Sequence, residues 1–347
     1  MPNPSVLATH LKTLAGDLVQ GKVVPFIGAG VHLCGRPAAP VQAEKHWWYG
    51  TRLLPKGDEL ARYLAEKFEY EDAATNWDLM RVSQFAEVMQ GSGPLYETLQ
   101  ELFARDYQPT PLHRLLARVP ALLRERGIGV GLPLIITTNY DEVLEAAFYD
   151  QHEPFDLVSY LIRHEGHSGK FWHLPQAHEH FAASRQPTAL LEGAPWQLIE
   201  SPNTYAKFPT DGRTIIFKIH GAVDRAGADQ SSFVITEDDY IDYLARMDFA
   251  NPLPKLLALK MKFARLLFLG YGLRDWNLRV VLQRIWGERN LTYPSWSIQL
   301  GAQESDKRAW QRRNVSILDI PLEEYVPELE KCITGIPSRA APAVAAP

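Results

Sequence analysis

The chain has 347 residues, 46% of them hydrophobic, which is enough for a substantial core in one large domain with insertions or in two smaller ones. Its formal net charge of -5 argues against a nucleic-acid-binding surface, because such surfaces show a clustered basic excess. There is no apolar run of 18 or more residues and no signal-peptide pattern, so we expect a cytoplasmic protein without direct membrane or nucleic-acid contact.

The first part of the chain alternates between a helix, a strand and a long helical stretch. Leucines at helical spacing predict a helix over residues 5–20, followed by an apolar strand at Val23–Ile27. Prolines and the pair Trp47 and Trp48 predict a long loop from Gly35 to about Gly57. Spacings of three and four then predict helices, which we interpret as an inserted helical module at about 58–127.

The second part returns to strands, with one stretch that has no sustained periodicity. That stretch, about 151–212, is interpreted as an irregular insertion with one or two short strands. The other predicted strands are 134–138, 214–219, 266–269, 296–300 and 315–318. The predicted helices are about 141–149, about 254–263 and 305–313, and residues 236–243 are predicted to be the acidic start of a further helix. Residues 334–347 are rich in Pro and Ala and are predicted to be a disordered tail.

Four of the apolar runs end in glycine or polar residues: VVPFIGAG at Gly30, PLIITTNYD at Asp141, IIFKIHG at Gly221 and LLFLGYGLRDWN at Asn277. Continuous apolar runs are typical of buried parallel strands, and ligands bind at the carboxyl ends of such strands. The fold class predicted is α/β, with a Rossmann-like, mostly parallel sheet flanked by helices. We expect the four strand ends to face one site.

The cysteines and histidines bear on a metal site. The two cysteines, Cys34 and Cys332, cannot form a four-cysteine zinc site, and they argue against a disulfide framework. Five histidines crowd residues 164–180 without an HExxH pattern, and Gly, Ser, Pro and Gln lie between them. We predict a polar surface loop there and no metal site.

The turn Gly28-Ala29-Gly30 has two interpretations. Glycines after a strand let the backbone approach a pyrophosphate, and a following helix start adds a positive pole. The full G-x-G-x-x-G pattern is absent, because the next glycine is Gly35, so a plain strand-ending turn explains the same residues.

Three polar residues follow the next two strands. Asn139 and Asp141 are placed to hold a ligand with short side chains, although Asp141 also fits a helix N-cap and Asn139 a turn. His220 ends its strand beside the other loops, which favours a proton acceptor or relay over a structural core histidine.

The last loop offers a second glycine turn, Gly270-Tyr271-Gly272, followed by Arg274 and Asp275. The carboxylate of Asp275 is suited to accept hydrogen bonds from ribose hydroxyls. Arg274 is equally suited to pair with Asp275 or with a neighbouring subunit.

The ordered motifs FIGAG, TTNYD, KIHG, FVITEDDY and LFLGYGLRDWNLRVVL, across roughly residues 20–285, resemble the sirtuin-like (silent-information-regulator type) domains of prokaryotic anti-phage NADases. The resemblance implies an NAD-binding domain over residues 1–333. By position it implies a set of site residues: Asn139 and His220 as catalytic, Gly28, Ala29 and Gly30 as the phosphate loop, Asp141 beside the nicotinamide ribose, and Gly270, Tyr271, Gly272 and Asp275 at the adenosine end.

Two departures from the family pattern matter. His32 stands where the family often has a small hydroxyl residue, which puts the contacts at that point in question. Sirtuin deacylases carry a four-cysteine zinc module, which two cysteines cannot build, so we expect no zinc.

The function that the resemblance implies is hydrolysis of the nicotinamide-ribose bond of NAD to nicotinamide and ADP-ribose, as an NAD-depleting anti-phage effector. Because nicotinamide is already a cationic leaving group, the enzyme mainly stabilises a ribosyl cation and delivers water. The alternatives are an NAD-dependent deacylase or ADP-ribosyltransferase and a non-catalytic NAD or ADP-ribose sensor. An NADase must be controlled, so we expect a homo-oligomer or a separately encoded partner such as a P-loop ATPase or Argonaute. Exposed candidates for the interface are the helical module and the tryptophans Trp47 and Trp48. The two tryptophans equally fit a cap over the NAD pocket or a place in the core.

Overall fold

The structure, a computed structural model, describes residues 4–39, 46–71, 78–129, 131–164, 166–184, 196–225, 231–246, 253–273, 282 and 291–338. Within these ranges nine strands form one sheet. They are β1 (Val23–Ile27), β2 (Leu134–Thr137), β3 (Phe155–Tyr160), β4 (Phe171–Leu174), β5 (Gln197–Leu198), β6 (Thr214–Lys218), β7 (Arg265–Leu269), β8 (Ser295–Ile298) and β9 (Val315–Leu318).

Eleven α-helices belong to the same ranges. They are α1 (Pro4–Val19), α2 (Gly57–Lys67), α3 (Leu79–Gln90), α4 (Ser92–Phe103), α5 (Pro111–Glu125), α6 (Val143–Asp150), α7 (Ala177–Ser184), α8 (Glu237–Arg246), α9 (Lys255–Lys262), α10 (Glu304–Gln311) and α11 (Leu322–Thr334). A 3₁₀ helix, Ala29–Leu33, follows β1. No helix in the described ranges has the length and apolar character needed to cross a bilayer.

The strand order is β5-β4-β3-β6-β2-β1-β7-β8-β9. The pairs β3–β4 and β4–β5 are antiparallel, and the other pairs are parallel. The chain moves from β1 to β2 on one side and later returns to β7 on the other side of β1. The strand order therefore reverses between β1 and β7, which is where an open α/β sheet forms a binding crevice at its carboxyl edge. The Rossmann-like, mostly parallel α/β prediction is confirmed.

Alternate residues of the strands point to opposite faces and form two separate cores. On one face, Ile27 of β1 and Leu269 of β7 belong to a cluster that includes buried residues of α1, α5, α6 and α11. On the other face, Phe26 and Phe268 belong to a cluster that includes residues of α8, α9 and α10. Strands covered on both faces read as continuous apolar runs, which is why the sequence revealed them.

A third core lies in the helical module and contains buried residues of α2, α3 and α4. Val143, Val223, Phe233 and Ile235 join this core from segments that follow β2 and β6. The module therefore packs against the carboxyl edge of the sheet. Helix α5, which fell inside the predicted module, packs on the sheet face instead, because its buried leucines join the first core.

The predicted irregular insertion at about 151–212 is more regular than expected. It holds three strands and α7, and β3 pairs in parallel with β6 as part of the main sheet. The histidine-rich stretch is not a single polar surface loop, because His173 lies in β4 and is fully buried, with Nε2 3.0 Å from Asp156 Oδ2. Burial of these polar residues broke the apolar pattern on which the prediction relied.

Two aromatic residues of the predicted loop differ in their surroundings. Trp48 is 2% exposed and packs in the core of the helical module, so of the alternatives left open for this residue the structure supports a place in the core. Trp47 is half-buried, with the guanidinium of Arg36 4.7 Å from its ring centroid.

Candidate functional site

A cavity of about 560 Å³ lies at the carboxyl edge of the sheet, beside the point where the strand order reverses. Ligand pockets typically measure about 300–1,000 Å³. Its floor comes from the segments that follow β1, β2, β6 and β7. Its other side comes from the helical module and the segment just before it, through residues that include Leu54, Pro55, Leu79 and Phe103. The module thus covers a site built on the strand ends.

The two glycine turns of the floor pack directly against each other. The N–H of Gly30 donates to the carbonyl oxygen of Gly270 at 2.8 Å, and the N–H of Gly28 donates to Leu269 O at 3.2 Å. A Cβ at Gly30 would lie 2.6 Å from Gly270 O, and one at Gly270 would lie 2.2 Å from the nitrogen of Val31. These glycines are required for contact between the two loops, and two of the turn's N–H groups are already engaged there.

Tyr271 fills the space between the turns and the sheet. Its ring lies edge-on to Phe26 at 5.5 Å, and a Cβ at Gly28 would lie 2.5 Å from its Cδ2. Tyr271 is 8% exposed and also lines the cavity. Tyr271 therefore packs against the turn and also forms part of the cavity lining.

The loop after β2 places Asn139 and Asp141 in the cavity floor. The backbone N–H of Asn139 donates to Thr137 Oγ1 at 3.0 Å, which orders the loop at the strand end. Asp141 Oδ1 accepts from the N–H of Val143 at 3.0 Å, which is the turn expected of Asp at the start of a helix. The N-cap residue itself is Glu142, and Asp141 precedes it. Asp141 also lines the cavity, and its role in holding a ligand stays a prediction.

His32 contacts both of these residues. Its Nε2 lies 3.1 Å from Asp141 Oδ2 and 3.2 Å from Asn139 Nδ2, and its ring stacks on that of His113 at 5.4 Å. His32 is 8% exposed. The position where the sequence departs from the family pattern is therefore at the centre of the site.

The charge of Asp141 depends on its neighbours. Burial by itself raises the pKa of this carboxyl group, but His32, Lys218 and the N–H of Val143 together lower the pKa well below its usual value. Asp141 is therefore an ionised carboxylate in a buried position at neutral pH.

A buried ion pair lies beneath the loop. Lys218 Nζ is 2.6 Å from Glu145 Oε1 and also donates to the carbonyl oxygen of Asp141. Lys218 and Glu145 are 1% and 3% exposed at their side chains. The sequence analysis did not assign either residue to the site, although a lysine inside the apolar run IIFKIHG indicates a buried acidic partner.

His220 lies in the cavity floor beside Tyr240 and Tyr243, whose rings meet its own edge-on at 5.4 and 5.6 Å. Burial lowers the pKa of His220 to about 3, so its ring is neutral at physiological pH. Among the described residues, none forms a hydrogen bond with its ring nitrogens.

The structure brings most of the predicted site residues together. Eight of them line the cavity: Ala29, Gly30, Asn139, Asp141, His220, Gly270, Tyr271 and Gly272. Gly28 lies behind them against Tyr271, and Asp275, like Arg274 and Asn277, lies outside the described residues. Within the described ranges, no group of three or more His, Cys, Asp or Glu residues has an arrangement suited to a metal ion.

Comparisons with known proteins agree with the motifs. Residues 133–318, more than half of the chain, match the SIR2-like domain. Over 273 residues, 78% of this chain, the sequence is 23% identical to Defense-associated sirtuin 2 of Bacillus subtilis, and the aligned part spans 20% of that protein's length. The chain belongs to the SIR2-like domain family.

Proposed function

We propose that this chain is an NAD hydrolase that cleaves the nicotinamide-ribose bond to give nicotinamide and ADP-ribose. The observation that carries the proposal is that Asn139 and His220, from two different strand ends, line one cavity where the order of the strands reverses. Membership of the SIR2-like family supports NAD as the ligand.

The residues of the cavity fit a dinucleotide. The glycines of the two turns that line the cavity have no side chains, so the backbone there can approach a phosphate closely. The carboxylate of Asp141 and the amide of Asn139 are suited to hydroxyl groups, and the apolar residues of the helical module suit a flat ring.

The roles of the two catalytic candidates follow from their chemistry. Bound NAD supplies a cationic leaving group, so no acid is needed to expel nicotinamide. Asn139 orients the water or a ribose hydroxyl through its carboxamide. His220, neutral in the cavity, accepts the proton that the attacking water gives up, and an anionic ligand nearby would raise its low pKa.

The test is release of nicotinamide and ADP-ribose from NAD, resolved by chromatography, with Asn139→Ala and His220→Ala beside the native protein. We expect each substitution to lower the rate about 10²- to 10⁴-fold. Two exposed residues provide the matched controls, as Asn203→Ala and His152→Asn. Asn is chosen at position 152 because it tolerates the positive φ of 53° there.

The products distinguish the alternatives. Transfer of ADP-ribose or removal of an acyl group from a protein would indicate a transferase or deacylase. Binding of NAD without any product, both by the protein alone and by its assembled form, would indicate a sensor. Equal rates in His220→Ala and the native protein would refute the role of His220.

We further propose that NAD depletion serves anti-phage defence in the cytoplasm, which the likeness to a defence-associated sirtuin supports. Because uncontrolled NAD hydrolysis would kill the cell, activity would depend on a homo-oligomer or on a partner such as a P-loop ATPase or Argonaute. Light scattering of the protein with and without NAD, alongside the activity assay, tests whether assembly accompanies turnover.

A further inference from the structure

His32 shares a single nitrogen between two neighbours of the proposed active site. Nε2 is 3.1 Å from Asp141 Oδ2 and 3.2 Å from Asn139 Nδ2, both within hydrogen-bonding distance. An imidazole nitrogen carries either a proton or a lone pair, so it cannot donate to one neighbour and accept from the other. One of the two contacts fixes the other.

The carboxylate decides which. Asp141 is 4% exposed, and it is held in its ionised form by the groups around it. An ionised carboxylate only accepts hydrogen bonds, so the Nε2 that faces it has to carry a proton. This holds whether the imidazole is neutral or charged, because both forms can carry the Nε2 proton.

The orientation of Asn139 follows. The oxygen and nitrogen of a carboxamide occupy nearly equivalent positions, and hydrogen bonding determines which of them faces a neighbour. In the structure Asn139 Nδ2 faces Nε2, which would set two donors against each other. Exchanging the two carboxamide atoms removes this conflict, because Asn139 then accepts from Nε2–H through Oδ1. Its Nδ2–H groups then point away from His32.

The ring of His32 is itself held in place. It stacks on His113, whose Nδ1 lies 2.7 Å from Thr110 Oγ1, and burial lowers the pKa of His113 to about 3. His113 is therefore a neutral platform at the start of α5, and it adds no charge that would repel a protonated His32.

We propose that His32 is a positioning residue: its Nε2–H donates to Asp141 Oδ2 and Asn139 Oδ1, so that Asn139 presents its Nδ2–H groups to an oxygen atom of the ligand. The hydrogen-bond assignment concerns the protein without ligand. Its consequence for catalysis rests on the proposed function.

The assignment is tested first, without NAD. In protein labelled with ¹⁵N-histidine, NMR distinguishes ring nitrogens with and without a proton, and the signals of His32 are those that disappear in His32→Gln. We expect a protonated Nε2 at pH 7. An Nε2 without a proton would overturn the proposal, because Asn139 would then donate to His32.

Activity tests the consequence. His32→Phe keeps a ring against His113 but removes the donor, and we expect nicotinamide release to fall on the order of 10²-fold through misplacement of Asn139. His32→Gln restores an N–H near the position of Nε2, and we expect it to recover most of the rate. A purely structural loss would not be rescued selectively by this donor.

An unchanged rate in His32→Phe, with the native protein active, would refute the positioning role and leave the proposed function intact. If the native protein releases no nicotinamide either alone or in its assembled form, the proposed function fails, and the NMR result alone decides the assignment of His32.

Discussion

Gly270 and Gly221 lie where their loops come close to another backbone and where φ is positive, at 61° and 89°. At Gly221 a Cβ would lie 2.1 Å from the carbonyl oxygen of Ser232. Side chains are therefore excluded at both positions by contact and by conformation, independently of any ligand.

For Gly270→Ala we expect the free energy of unfolding to fall by at least about 2 kcal/mol, because positive φ adds strain and the Cβ would meet the backbone of Val31. The matched control is Gly272→Ala, two residues away, where nothing lies within 4 Å of the added Cβ. We expect a change there within about 0.5 kcal/mol. Urea denaturation measures both, and equal losses would contradict the role assigned to the contact between the turns.

At the scale of elements, β6 and α6 are joined by the buried pair Lys218 and Glu145. Neither charge has access to water, so each depends on the other and on the carbonyl of Asp141. The pair thus fixes the loop between β2 and α6, which carries Asn139.

We predict that Lys218→Met lowers the free energy of unfolding by about 3–5 kcal/mol, because Glu145 is left as an uncompensated buried charge. The double variant Lys218→Met with Glu145→Leu should recover much of that loss. Lys170→Met, which breaks the exposed pair with Glu200, should cost no more than about 1 kcal/mol. A double variant less stable than Lys218→Met would contradict this account of the pair.

At the scale of the whole molecule, buried histidines couple stability to pH. Burial lowers the pKa of His10 to about 4 and the pKa values of His113 and His220 to about 3, whereas the ordinary pKa of histidine is 6.5. Between pH 6.5 and those values the unfolded chain binds more protons than the folded one, so stability falls as pH is lowered.

We expect the free energy of unfolding to decrease from pH 6.5 to pH 5 by up to about 1.4 kcal/mol per pH unit for each of the three histidines. His220→Phe, which keeps an aromatic ring beside Tyr240 and Tyr243, should reduce the slope by about one proton. Urea denaturation at several pH values measures it. Asp141, whose pKa is lowered, also makes the folded protein less stable as the pH falls, but only below the ordinary pKa of a carboxyl group. Asp239, whose pKa burial raises, has the opposite effect at low pH, because its folded form binds a proton more readily than its unfolded form.

The sequence predicted those elements whose apolar pattern matches their burial. The runs at β1, β2, β6 and β7 are covered on both faces, and they were located to within a residue or two. By contrast β3 was missed, because Asp156 within it is buried and balanced by His173 and Arg213 from later segments. Helix α11 was also missed, although Tyr325, Val326, Leu329 and Ile333 repeat at helical spacing.

The sequence by itself determined β1, β2, β6 and β7 and the residues at their ends, because continuous apolar runs and the polar or glycine residues that end them are local properties of the chain. Tertiary structure decided which groups touch. His32, Asn139 and Asp141 come from the ends of two strands separated by four helices. Their hydrogen bonds depend on the pairing of β1 with β2, so no local pattern could show that one imidazole nitrogen serves both partners.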